Sequence, residues 1–211
     1  MKNGMIKEEI NMLKKCISIF MFLVLCLSMN VLAFAGDMTG YAIYRDGVAE
    51  LEWHAGIMWG SSTTSTNKPV VHHPGTNVVK FDTWRNFIDG NIFKGYYESD
   101  DSPTLNERAR IAGLAKKLAN ENIPYCFYYQ LETDLDTLSS NPKTIKPENI
   151  TAMRCDGVVE YCYEYYGHRI YGSNSNWDIT IAKQDNIAKH SLTNVTPKKQ
   201  ASYMTKVSSD E

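Results

Sequence analysis

Thr151-Ala152-Met153-Arg154-Cys155-Asp156-Gly157-Val158-Val159-Glu160-Tyr161-Cys162 is the stretch on which the fold turns. Its apolar spacing predicts an amphipathic helix from Cys155 to about Tyr166, stopped at Gly167, a residue type suited to the position just past a helix end. Cys155 then occupies the first turn. Free backbone N–H groups and the helix dipole favour negative charge there, and so favour a thiolate. A thiolate becomes a useful nucleophile only beside a base and a group that orients that base.

Upstream, the chain reads as short strands. Gly40 to Tyr44 is a strand and Arg45-Asp46-Gly47 a turn. The second half of Glu50 to Gly60 is apolar and aromatic, as a buried antiparallel strand would be. A polar loop from Ser61 to Lys68 leads to a third strand, Pro69 to His72. The turn His73-Pro74-Gly75-Thr76-Asn77 leads to a fourth, Val78 to Phe81. A hairpin is the simplest link between the second and third strands, and it would set His54 and His72 on neighbours. Asp82 to Gly95 suits a short helix or a lid, and Tyr96 to Asp101 is extended. Ser102 to Glu107 carries an N-cap, a proline and a T-x-x-E capping box, opening a helix that closes at Asn120-Glu121-Asn122. Ile123 to Tyr129 is an aromatic segment, and Thr133 to Asn149 a polar surface loop. Thr180 to His190 is a short helix or irregular, Ala201 to Val207 a last strand, and Ser208 to Glu211 a disordered end.

The first 35 residues read as an address. Lys14 and Lys15 precede an apolar run from Cys16 to Leu32, and Ala33-Phe34-Ala35 fits a small-x-small cleavage site. The run is also long enough for an anchor helix. Cleavage would leave one domain, residues 36–211, with no stable membrane anchor. Of the 22 basic and 24 acidic residues, 18 and 22 would remain, a balance with no nucleic-acid footprint. Three of the five cysteines would remain: Cys126, Cys155 and Cys162. An odd number leaves at least one thiol unpaired. Cys162, two turns along the same face as Cys155, reads as core. The two sulfurs stand about 10 Å apart along the axis, too far to share a metal ion. No cofactor and no metal are expected.

Five histidines are candidates for the base. His168 follows the helix-ending glycine and reads as a surface dipole partner, and His190 sits in polar sequence. His54 is embedded in a strand and followed by Ala55 and Gly56, which leave space above an imidazole. A histidine there can equally be a sheet-face residue with a hydrogen-bond partner.

Three motifs carry a resemblance. Trp53-His54-Ala55-Gly56-Ile57-Met58-Trp59-Gly60, followed by Val71-His72-His73-Pro74-Gly75, resembles the H-x-G-I-Y-x-G … I-H-A-P-x segment of NlpC-type cysteine peptidases. Arg154-Cys155-Asp156-Gly157-Val158-Val159 is similar to their D-C-S-G-F-V motif. Here the histidines precede the cysteine. That order, with Ile123-Pro124-Tyr125 after the capped helix, resembles the circularly permuted YiiX/YebB-like branch of this papain-like superfamily. The resemblance spans roughly Gly40 to Thr205. It implies an α+β, permuted papain-like fold with an antiparallel sheet packed on the helix of the nucleophile. It implies Cys155 as nucleophile, His54 as base and His72 as the group orienting it, with His73 the weaker candidate. Tyr125 and the Cys155 N–H would hold the oxyanion. The implied activity is amide hydrolysis through a thioester, by a secreted or cell-envelope bacterial enzyme. Peptidoglycan peptides are one substrate class; a lipid amide, an ester or a small amino-acid derivative is another. A non-catalytic secreted binding protein on the same fold is the rival. Arg154 and Asp156 depart from the motif. Arg154 would either favour the thiolate, bind a substrate carboxylate, or be solvated at the helix start.

Overall fold

The computed structural model describes residues 38–47, 53–60 and 67–208. The segment read as a signal peptide lies outside the described residues, as do residues 61–66 of the polar loop and residues 209–211 of the end. Among the described residues no helix is long and apolar enough to cross a membrane.

The protein is α+β. Six strands form one antiparallel sheet: β1 (Ala42–Arg45), β2 (His54–Met58), β3 (Val70–His72), β4 (Lys80–Asp82), β5 (Phe93–Glu98) and β8 (Thr205–Ser208). Their order across the sheet is β4-β3-β2-β1-β5-β8. A separate antiparallel pair joins β6 (Leu131–Thr133) to β7 (Ile150–Met153). The helices are α1 (Trp84–Ile88), α2 (Leu105–Asn120), α3 (Cys155–Glu164), α4 (Gln184–Lys189) and α5 (Pro197–Ala201).

Alternation along the strands feeds a core on each face of the sheet. Ala42, Tyr44, Ala55 and Ile57 pack in the larger core with Ile111 and Leu118 of α2 and Val158, Tyr161 and Cys162 of α3. Ile43, Met58 and Val70 pack on the opposite face with Trp84 and Phe87 of α1. Cys162 is fully buried, the packing role read from its position. Thr104 caps α2, and the reciprocal bond from its backbone N–H to Glu107 completes the capping box.

Helix α3 begins where the apolar spacing predicts. Arg154 is its N-cap and Cys155 its first residue. At the other end the Gly167 N–H donates to the Glu164 carbonyl and the His168 N–H to the Tyr163 carbonyl, the paired bonds of a Schellman stop. Gly157 cannot be another residue without movement, because a Cβ there would run into the Gln130 carbonyl oxygen. The missing side chain lets α3 sit against the segment leading into β6, where the Arg154 N–H donates to that same carbonyl at 2.9 Å.

Three elements are not legible in the sequence. β6 and β7 are strands of three and four residues that pair only with each other, too short for a period of two to show. α5 has no apolar stripe to announce it, though Thr196 caps it and Pro197 opens it. The segment from Asp82 to Gly95 resolves into α1 and the start of β5.

Candidate active site

His54 and His72 sit on neighbouring strands, as the hairpin reading requires. Gly56 of β2 is directly opposite His72 of β3, so His54 is its diagonal neighbour on the same face. A Cβ on Gly56 would meet the Val71 carbonyl, the His72 Cβ and the Phe87 ring at 3.0–3.2 Å. Its absence gives both imidazoles room. His54 Nε2 and His72 Nδ1 are 2.6 Å apart, a short hydrogen bond. Phe87 stands 5.5 Å from the centroid of each ring and walls them in.

The relay continues to a residue that sequence reading missed. His72 Nε2 lies 3.4 Å from Asp82 Oδ2. Asp82 also accepts from Lys80 Nζ at 2.7 Å, Asn86 Nδ2 at 2.7 Å and the Thr83 N–H at 2.8 Å. Burial pushes its carboxyl upward, but these donors together hold it well below the ordinary carboxylate range. The signal was the period of two: Lys80 faces His72, so Asp82 shares its side of the sheet.

The anion sets the tautomers. A carboxylate only accepts, so His72 Nε2 carries a proton and its Nδ1 offers a lone pair. His54 Nε2 must then donate, which leaves His54 Nδ1 unprotonated and outside the relay. Burial lowers the pKa of His54 well below its ordinary value, with help from His72 and Arg45. Burial also lowers His72, against the pull of Asp82. Both rings are neutral at neutral pH.

Cys155 is 7 % exposed and lines a cleft of about 430 Å³ that His54 also lines. The other walls are Trp53, His73, Pro74, Gly75, Tyr125, Phe127, Arg154, Leu192 and Pro197. The relay faces α1 while α3 packs on the other face, and Cys155 and His54 share the lining of the cleft at the N-terminal end of β2. Among the described residues no hydrogen bond joins the Cys155 sulfur to His54.

The helix start does not act alone on the Cys155 thiol. Burial, reinforced by the Asp156 carboxylate, pushes the Cys155 thiol up to about 12. The N–H groups of Ala55 and Asp156 and the Arg154 charge work the other way and lose. The helix start lowers the thiol's pKa, and desolvation of the charged form exceeds that effect.

The Arg154 charge favours the thiolate, but its side chain is neither solvated nor open to the cleft. Its backbone starts α3 at the cleft, but its side chain is 2 % exposed. Nε and Nη2 grip both oxygens of Asp156 at 2.6 Å, Nη2 also donates to the Val195 carbonyl and Nη1 to that of Tyr128. The guanidinium is neither solvated nor available to a substrate carboxylate. It staples the start of α3 to the segment before β6 and the approach to α5. Asp156 is the departure from the motif that makes this possible. A different cation faces the site: Arg45 of β1 is the direct register partner of His54 and carries an orphaned, buried Nε.

Tyr125 lines the cleft with its ring edge-on to His73, and burial together with the charge at Cys155 pushes its hydroxyl up to about 12. It is a hydrogen-bond donor at any ordinary pH. His73 is fully buried and neutral, lowered to about 4 by burial, and its Nδ1 accepts from the Gly75 N–H rather than joining the relay. His168 and His190 are both buried, contrary to their reading as surface or loosely held residues. His168 Nδ1 bonds Asp101 at 2.9 Å, while His190 packs edge-on against Tyr171. Neither contact is visible in sequence, because both are made to residues distant along the chain or in irregular segments.

Compared with protein-family models, with curated proteins and with solved structures, the chain matches none.

Proposed function

We propose that this chain is a cysteine hydrolase on a circularly permuted, NlpC-type papain-like fold, exported to the bacterial cell envelope or beyond, and that it cleaves amide bonds. The observation that carries the reading is the 2.6 Å bond from His72 to His54, a residue that shares the lining of a cleft with Cys155. Cysteine, imidazole and a polar group that orients the imidazole are the parts such chemistry needs.

In this reading the resting pair is thiol and neutral imidazole. His54 Nδ1 takes the Cys155 proton as sulfur adds to the substrate carbonyl. The tetrahedral oxyanion is held by the Tyr125 hydroxyl and the backbone N–H of Cys155. His54 then passes its proton to the departing amine, leaving a thioester. Water adds to the thioester as His54 takes its proton, and the acid departs as the thiol is restored.

A lipid amide or ester is the second substrate class, and the apolar part of a mixed polar and apolar lining would receive its acyl group. Trp53, Pro74, Phe127, Leu192 and Pro197 line the cleft, Phe127 is 68 % exposed, and the guanidinium of Arg154 is engaged elsewhere.

Incubation with purified peptidoglycan and with a panel of N-acyl amides and acyl esters, read by mass spectrometry of products and intact protein, tests the proposal. An acyl group on Cys155 and turnover lost in Cys155→Ala and His54→Ala support it. Binding without acylation in the wild type would instead make this a secreted binding protein.

A further inference from the structure

Behind the candidate nucleophile, the far end of α3 carries a second cluster of reactive side chains. Glu160 and Glu164 lie one turn apart, and His190 follows α4. All three are buried, Glu160 and His190 completely. One ligand atom from each lies within 4.8 Å of the others.

The tautomer of His190 is set by its neighbour. Nδ1 lies 2.8 Å from the Asn186 carbonyl, which can only accept, so Nδ1 carries the proton. Nε2 therefore presents a lone pair. That atom is buried and has no hydrogen-bond partner. It lies 3.9 Å from Glu160 Oε1, itself an acceptor from the Tyr171 N–H.

Charge compensation around the cluster is uneven. Asp156 has Arg154 at 2.6 Å and Glu164 has Arg169 at 2.7 Å. Among the described residues Glu160 has neutral donors, the amides of Gln200 and Gln130 and the Tyr171 N–H, and its one ion-pair neighbour is neutral His190. A buried carboxylate with no cation and a buried imidazole lone pair with no donor face each other. A proton does not resolve this. The 3.9 Å gap exceeds a hydrogen bond, so a proton on Glu160 still leaves Nε2 unpaired. A metal ion satisfies both at once. Carboxylate and imidazole ligands sit about 2.0–2.2 Å from zinc, which puts neighbours in a tetrahedral shell about 3.3–3.6 Å apart. Small side-chain adjustments reach that from the present spacing. The Nδ1–H bond to a backbone carbonyl is the outer support that metal-binding histidines ordinarily have.

We propose that Glu160, Glu164 and His190 form a buried site for a divalent transition-metal ion, zinc in the first place, that ties α3 to the segment around α4. The site is separate from the cleft and does not depend on the function assigned to Cys155.

The test uses the full chain without a polyhistidine tag, stripped by a chelator and dialysed against Zn²⁺ or Co²⁺. One ion per chain is expected, with a raised melting temperature. Cys155→Ala and His54→Ala keep the ion; His190→Gln and Glu160→Gln lose it. Should those two variants fail to fold, the wild-type Co²⁺ spectrum decides. Ligand-field bands without thiolate charge transfer support the site. Thiolate charge transfer, an ion lost in Cys155→Ala, retention in His190→Gln, or no stoichiometric ion in the wild type would each overturn it.

Discussion

His54 and Asp82 lie two strands apart and are connected through a single ring, that of His72. The connection is a property of sheet register. His72 is level with Gly56, two residues beyond His54, and Asp82 is level with Val70, two residues further again. The three side chains thus run as a diagonal stripe across β2, β3 and β4, all on the face that carries α1. The stripe ends in a carboxylate held by four donors, which is why the proton positions along it are determined.

Removal of the relay should cost rate more than fold. His54→Ala and His72→Ala are expected to reduce kcat/KM on an accepted amide by about 10²–10⁴-fold. Asp82→Asn should give a smaller loss and a changed pH–rate profile, since an amide no longer dictates which His72 nitrogen holds the proton. Equal activity in His72→Ala and wild type would dismiss the relay.

Alkylation of Cys155 reports its resting state. With the thiol pushed up to about 12, the thiolate fraction rises tenfold per pH unit across the neutral range. The iodoacetamide rate should therefore climb from pH 6 to 10 without a plateau. A plateau beginning near neutrality would mean a thiolate–imidazolium pair at rest.

Arg154 should behave as a structural residue. Breaking a buried ion pair by removing one partner costs about 3–5 kcal/mol, so Arg154→Met should lower stability by that order in urea unfolding. The double variant Arg154→Met, Asp156→Leu should recover much of it, because no lone charge remains buried. A single variant as stable as wild type would refute the staple.

Gly157→Ala drives a methyl group into the Gln130 carbonyl. The expected loss is about 3 kcal/mol, the upper part of the range for overpacking. Gly113→Ala, where the added carbon meets nothing within 4 Å, is the control and should be neutral or mildly stabilising.

Acid should unfold the protein through its buried imidazoles. Burial lowers His73 and His190 to about 4, below the ordinary value near 6.5. Between those limits the unfolded chain binds protons that the folded chain does not, so stability rises with pH through this window and is complete above it. The slope reaches about 1.4 kcal/mol per pH unit for a fully buried histidine such as His190. Glu160 acts with the opposite sign: burial raises its carboxyl to about 7, so in chelator-treated protein its contribution is lost as pH rises toward and through 7. Unfolding curves from pH 4 to 8 should show the rise, and Glu160→Gln should lessen the decline, part of which belongs to the Glu164 carboxyl that burial also raises.

Local signals carried most of what was legible. The T-x-x-E box announced α2, the apolar spacing and Gly167 bracketed α3, and the polar loop between two apolar runs paired His54 with His72. What escaped depended on distance along the chain. Asp82 joins the site only once β4 has a register, and His190 meets Glu160 only because the end of α4 comes up to a side chain of α3 thirty residues earlier. The fate of Arg154 turned on carbonyls at Tyr128 and Val195, which no pattern around the cysteine reveals. At Cys155 two opposing effects differ in what sets them: a dipole at a helix start is a fixed small effect, while desolvation depends on how deeply the rest of the chain covers the sulfur.

The diagonal stripe also has an order in time. His54, His72 and Asp82 span a short local segment, whereas Cys155 arrives seventy-three residues after Asp82. A chain made from its N-terminus presents the hairpin strands first. The strands that hold the two imidazoles and the carboxylate can pair while the sulfur is still unsynthesised, and Leu192 and Pro197, two walls of the cleft, close around it only later.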